Sequence, residues 1–170
     1  FPAAEAEAVT FPAATGQEVT INGCYPPVTL VTTNGTTLSR TNGMRSPGTT
    51  SNYAIVTPDP TAFDILGDLT LVARAQLANW HANTIQALIG KYGGSNRSYG
   101  LVMSSGGIPR LYYSADGTNQ LSSVCTASVP FANNEDGWVA ATIDVDNGAS
   151  GRTVKFWVSS DGVTWTQLGA

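Results

Sequence analysis

Basic residues are scarce in this chain: eight Lys and Arg stand against twelve Asp and Glu, a net charge of −4 over 170 residues. No basic stripe is available to neutralise a phosphate backbone, which excludes a nucleic-acid surface. His81 is the only histidine. A multi-histidine metal site is therefore excluded, and a Ser-His-Asp triad would have to use His81 with no nucleophile-elbow sequence to accompany it. The two cysteines, Cys24 and Cys125, are too far apart for any metal-ligand spacing. They either join in one long-range disulfide in an oxidising compartment or stay reduced and buried. No apolar run is long enough to insert in a membrane, and no signal-peptide pattern is visible. The sequence starts at Phe1 rather than Met, which leaves an earlier segment open.

Helix-forming Lys/Glu/Leu patterning is also nearly absent, with charged residues at 12%. What is present instead is Gly, Pro, Thr, Val and Ser, the composition of short strands and polar turns. The run WVAATIDVDNGASGRTVKFWVSSDGVTWTQL, residues 138–168, carries this furthest. Val139, Ala141, Ile143 and Val145 alternate with Thr142, Asp144 and Asp146, the period of a half-buried strand. Val154, Phe156 and Val158 then alternate with Thr153, Lys155 and Trp157. Pairing Asp146 with Thr153 sets Ile143 opposite Phe156, Ala141 opposite Val158 and Asp144 opposite Lys155, whereas a one-residue slip would put Phe156 opposite Thr142. NGASGR becomes a Gly-rich hairpin loop. The next turn is either Ser160-Asp161-Gly162, with Gly162 left-handed and Trp157 beside Trp165, or Asp161-Gly162, with Trp165 facing the core.

Two further regions frame this run. FPAAEAEAVT is followed by FPAATGQEVT, a tandem repeat matching at six of ten positions. Pro2 and Pro12 break any continuous helix, so residues 1–22 read as an extended N-terminal arm or a pair of edge strands. Residues 33–52 are turn-rich. From residue 53 onward, LTLVARAQLA, TIQALIGKYG, SYGLVMS and PRLYYS follow at short intervals with Gly-containing turns between them. Regular short strands of this kind form a two-sheet antiparallel β-sandwich or a barrel, here one domain spanning residues 23–170.

The ordered segments NRSYGL, YYSADGT, DVDNG and SSDGVTW give the stretch from about residue 53 to 170 a resemblance to a known family. They resemble the concanavalin A-like, laminin-G-like jelly-roll domains of minor tail proteins of actinobacteriophages. That resemblance implies a jelly-roll sandwich in a virion protein. It also implies contacts with other virion structural proteins or with cell-surface polysaccharide, and a homo-oligomer or many copies per particle. The family's domain continues with further strands beyond the segment matching TWTQLG, and residues before about 50 have no counterpart in it. The alternative is an extracellular carbohydrate-binding module secreted by a bacterium, or a degenerate glycoside hydrolase of the same fold.

Glucanases of that fold carry Glu-x-Asp-x-Glu or Glu-x-Asp-x-x-Glu on one strand, since retaining hydrolysis needs two carboxyl groups about 5–5.5 Å apart. This chain has Thr142-Ile143-Asp144-Val145-Asp146, with Thr where the nucleophile would stand. No enzyme is expected. Recognition is, because sugars need an aromatic platform beside amides, carboxylates or cations. Trp157 flanked by Thr142, Asp144 and Lys155 meets that description, and Tyr112, Tyr113 and Asp116 offer a second candidate. The competing structural expectation is that Trp157 is covered by another strand, loop or subunit. No cofactor is expected; calcium at Asp68, Asp116, Asp136, Asp146 or Asn147 is a secondary reading, against which Asp in a turn commonly caps its own backbone. SSDGVTW is similar to the Asp-box turn of sialidase-type propellers, one residue shorter, and supports only a hairpin.

Overall fold

A computed structural model of the chain describes residues 18–21, 28–33, 35–39, 43–48, 52–57, 61–93, 96–148 and 151–169. The chain divides into two compact units, residues 1–61 and 62–170. The structure is all-β, built from antiparallel sheets. In the first unit the strands are β1 (Glu18–Ile21), β2 (Val28–Thr32), β3 (Thr37–Ser39), β4 (Gly43–Arg45) and β5 (Ala54–Thr57). β1, β2 and β5 form one sheet in that order, and β3 and β4 form a two-stranded ribbon. Glu18–Ile21, the end of the tandem repeat, is thus an edge strand. The rest of the repeat and Cys24 lie outside the described residues.

Among the described residues the second unit holds eight strands: β6 (Leu69–Gln76), β7 (Gln86–Gly93), β8 (Asn96–Ser104), β9 (Ile108–Tyr113), β10 (Leu121–Val124), β11 (Asp136–Asp144), β12 (Thr153–Ser159) and β13 (Thr166–Leu168). They make two four-stranded sheets. Sheet I has the order β13-β12-β11-β6, and sheet II the order β10-β9-β8-β7. After β6 the chain leaves sheet I, builds the whole of sheet II as a meander, and returns to lay β11 beside β6. Both sheets contribute to one hydrophobic core. Leu71, Val139, Ala141, Ile143, Phe156 and Val158 come from sheet I, and Leu101, Met103 and Leu111 from sheet II. This is the arrangement expected of a β-sandwich.

The alternation read in residues 69–76 and 138–144 holds, because successive side chains of a pleated strand point to opposite faces of the sheet. Leu71, Val139, Ala141 and Ile143 are buried, while Val72, Arg74 and Asp144 are exposed. The β11–β12 register differs from the expected one by two residues. Ile143 faces Val154, Ala141 faces Phe156, Val139 faces Val158, and Lys155 faces Thr142 instead of Asp144. A two-residue slip preserves every apolar face, so the pattern that excluded a slip of one could not exclude it. The loop decides. Asp146 N–H donates to Asp144 Oδ1 (3.1 Å) and Gly148 N–H to Asp146 Oδ1 (3.1 Å), while Asn147 N–H reaches Gly151 O (3.1 Å). Those bonds draw Val145 and Asp146 out of the strand into a wider turn.

The β12–β13 connection is likewise longer than either expected form, since Val158 pairs with Thr166 and Trp157 with Gln167. Gly162 is left-handed as expected, with φ 75°. A second reason for glycine is steric: a Cβ there would come within 2.8 Å of the Trp138 indole.

Trp80, on the turn that follows β6, is nonetheless fully buried. Its indole N–H donates to Glu135 O (2.9 Å) and its ring packs at 4.9 Å from that of Phe131. It occupies the link between β6 and β7, whereas Phe131 belongs to the link between β10 and β11. The two crossings between sheets are therefore joined through an aromatic pair. His81, next to Trp80, is exposed on its turn, with Nε2 3.2 Å from Val129 O.

Trp80→Ala should cost about 3–5 kcal/mol in urea unfolding. Val163→Ala, at a site 83% exposed, should shift the same measurement by no more than about 0.5 kcal/mol. Gly162→Ala should lose roughly 1–3 kcal/mol, from the unfavourable φ and displacement of the indole, and should alter the near-ultraviolet circular dichroism of Trp138.

Candidate recognition faces

The outer face of sheet I is assembled from side chains that alternate with the core set. Register places Thr70, Thr142 and Lys155 in one row across three strands, and Val72, Ala140, Trp157 and Gln167 in the next. Trp157 is half-buried, and Ala140 between it and Val72 is buried because a methyl group is overtopped by larger neighbours on each side. An open groove of about 310 Å³ borders this row, lined by Asp68, Thr70, Thr142, Asp144, Thr153 and Lys155 with the edges of Leu69 and Ile143.

The groove brings together one ammonium, two carboxylates and three threonine hydroxyls. Asp68 accepts the Val145 N–H (2.8 Å) through Oδ1, and Asp144 accepts the Asp146 N–H through Oδ1. Among the described residues the second oxygen of each has no partner, and Lys155 is in no ion pair. Such a set can exchange hydrogen bonds with a polyol. Thr142, Asp144, Lys155 and Trp157, named from sequence, thus share one face. They do so without the expected Asp144–Lys155 opposition. Asp68, named from sequence only as a calcium candidate, and Thr70 complete the groove; Thr70 was missed because it enters only through the pairing of β6 with β11.

The second sequence candidate is divided. Tyr112 lies on the outer face of sheet II, whereas Tyr113 packs against the core with the Arg152 guanidinium 5.6 Å from its ring. Asp116 sits in the β9–β10 turn. Its Oδ1 accepts Ser114 Oγ–H (3.1 Å), Thr118 N–H (2.9 Å) and Asn119 N–H (2.7 Å), and its Oδ2 accepts Asn119 Nδ2–H (2.6 Å). Asp161 in the β12–β13 turn does the same work, accepting from Ser159 Oγ (2.8 Å), Val163 N (2.8 Å) and Thr164 N (2.7 Å). SADGTN and SSDGVT are therefore two copies of one Ser-x-Asp-Gly turn, with Gly117 and Gly162 both left-handed. The backbone amides of Asn119 and Thr118 hold the Asp116 carboxyl well below its ordinary range, as those of Thr164 and Val163 hold Asp161.

Of the calcium candidates, Asp146 and Asn147 share the loop after β11 with Asp68 bonded beside it, whereas Asp116 and Asp136 lie elsewhere. Asp136 forms an ion pair with Arg74 (2.7 Å), and Asp116 is committed to its own turn. No group of three or more His, Cys, Asp or Glu side chains converges on one point among the described residues. The Cys125 thiol is buried and donates to Leu168 O (3.1 Å).

Sheet II carries a different outer face. Tyr92 of β7 and Tyr112 of β9 flank Gly100 of β8, and their rings meet at 5.3 Å over the missing side chain. Arg97 lies 5.8 Å from the Tyr92 ring, and Arg110 lies 5.7 Å from the Tyr112 ring. The result is a ladder of guanidinium, ring, ring and guanidinium. Burial raises the Tyr92 phenol above its ordinary range, opposed by the positive charge of Arg97. No sequence pattern points to this cluster, since Tyr92 and Tyr112 become neighbours only when β7 and β9 both pair with β8.

Searches of family models, curated proteins and solved structures match nothing to this chain.

The two turn carboxylates set the sign of an acid response. Because both are depressed in the folded state, their stabilisation is complete above the unfolded value of about 4 and is lost as pH falls below it. The urea midpoint should therefore drop as the solution is acidified from about pH 5 to pH 3. The drop should be smaller in the double variant Asp116→Asn/Asp161→Asn than in the parent chain.

Proposed function

We propose that this protein is a non-enzymatic adhesion component of a bacteriophage virion, a jelly-roll sandwich of the concanavalin A-like kind that binds host cell-surface polysaccharide. The observation that carries the reading is the outer face of sheet I. A half-buried indole stands one row from a groove furnished with hydroxyls, carboxylates and an ammonium. An indole face takes the C–H surface of a sugar ring, and the groove takes its hydroxyls. The meander of sheet II between β6 and β11 is compatible with a jelly-roll course. The virion setting rests on the ordered set NRSYGL, YYSADGT, DVDNG and SSDGVTW, which also supports contacts with neighbouring virion proteins and many copies per particle.

The chemistry of the face favours binding over cleavage. Thr142 occupies the position a nucleophilic carboxylate would need, and Asp144 and Asp146 are both used in capping the loop that follows β11. A secreted bacterial binding module would use the same face, so location must be tested separately from affinity.

Titration with purified bacterial cell-wall polysaccharide should change the tryptophan fluorescence, and Trp157→Ala should weaken binding by about tenfold or more, as for a central aromatic anchor. No fluorescence response together with no binding by calorimetry would overturn the sugar reading. Negative-stain microscopy with an antibody against this chain should label the particle; a soluble monomer absent from virions would overturn the virion setting.

A further inference from the structure

The four strands of sheet II contain no Asp or Glu, in a chain whose net charge is −4. Across its outer face run Arg97, Tyr92, Tyr112 and Arg110. We propose that this face is a second binding site, specific for an acidic polysaccharide that carries carboxylate groups along a sugar backbone. It shares only the ligand class with the reading of sheet I and uses none of the same residues.

Three features carry the assignment. The first is uncommitted hydrogen-bonding capacity: Arg97 Nε, Arg110 Nε and Tyr92 Oη have no partner among the described residues but are shielded from solvent, so the donors left for a ligand are the Nη2 groups of the two arginines, which no hydrogen bond holds. Each guanidinium has one fixed contact, Arg97 Nη1 to Thr118 O (2.9 Å) and Arg110 Nη1 to Tyr112 Oη (3.1 Å). Those contacts hold the forks in place while leaving donors uncommitted, and a guanidinium fork matches a carboxylate in two-point geometry.

The second is the pairing of charge with rings. An arginine beside an aromatic face is less hydrated than a free one, which lowers the desolvation cost of meeting an anion. The rings are themselves capped by the guanidiniums, so they are not open for stacking by nucleobases. That separates this face from a single-strand binding groove, where bare aromatics alternate with cations.

The third is charge density. Duplex DNA presents one charge per about 1.7 Å, which two arginines could not neutralise on a body of net negative charge. An acidic polysaccharide presents charge much more sparsely, and screening over about 8–10 Å isolates its attraction to the ladder from repulsion by the rest of the molecule.

The experiment is calorimetric titration of the full chain with oligogalacturonate, with dextran of similar length as the neutral counterpart and single-stranded DNA as the competing polyanion. Oligogalacturonate should bind, weaken as salt rises from about 50 to 300 mM, and exceed both other polymers. Arg97→Gln/Arg110→Gln should weaken it by about tenfold or more, and Trp157→Ala by less than about twofold. Chemical-shift mapping on the unaltered chain, which does not depend on any variant folding, should move the Tyr92 and Tyr112 ring signals ahead of the tryptophan indoles. Binding no tighter than dextran, tighter binding of DNA, or shifts confined to Trp157 would each overturn the proposal. Cell-wall polysaccharide binding that Trp157→Ala leaves unchanged would count against the sheet I reading and leave this one standing.

Discussion

The antiparallel ladder between β6 and β11 is the interaction on which the second unit depends. It joins Leu69–Gln76 to Asp136–Ile143 through eight residue pairs, although the partners lie 60 to 74 positions apart. Everything between them is sheet II and its connections. Closing so long a loop costs conformational entropy, and the ladder alone does not offset it. The offset comes from what the closure buries: Leu71, Val139, Ala141 and Ile143 enter the shared core together, and the Trp80–Phe131 pair joins the two crossings beside it. The Arg74–Asp136 ion pair at one end of the ladder is about half exposed on both sides and contributes little by comparison.

That arrangement leaves each sheet with one face turned to the core and one available for other work. The two available faces differ in their physical chemistry. Sheet I offers an indole and a groove with charges of both signs, whereas sheet II offers cations interleaved with tyrosines and no carboxylate on its strands. Both fit glycan recognition as proposed, one through sugar C–H surfaces and hydroxyls and the other through acidic substituents. The sheet II face leans on the turn that Asp116 caps, because Arg97 Nη1 donates to Thr118 O (2.9 Å), and the two capped turns fix the ends of β9 and β12 and so the spacing of the side chains along them.

Much of the strand content was legible from residue order. Leu71 against Arg74, Ile143 against Thr142, and Phe156 against Lys155 fall on opposite faces because alternation is a local consequence of the pleat. The grouping of Thr142, Lys155 and Trp157 on one face was legible for the same reason. The Asp144–Lys155 opposition was not, since a shift of two residues leaves the alternation intact, and the hydrogen bonds of the loop after β11 select among such registers. Trp80 was illegible for a different reason: it lies in a connection without periodicity, and its burial follows from Phe131 and Glu135 being brought to it from fifty residues away.

The sequence by itself determined much of the strand content, which side of the strands at 69–76, 138–144 and 153–158 is apolar, and that Gly162 sits in a left-handed turn, because these depend on neighbours within a few positions. Tertiary structure alone decided the pairing of β6 with β11, the groove made by Asp68 and Thr70 with Thr142, and the ladder over Gly100. Those arrangements require strands distant in the chain to pair, and pairing is settled by the closure of loops and the packing of a shared core rather than by any local pattern.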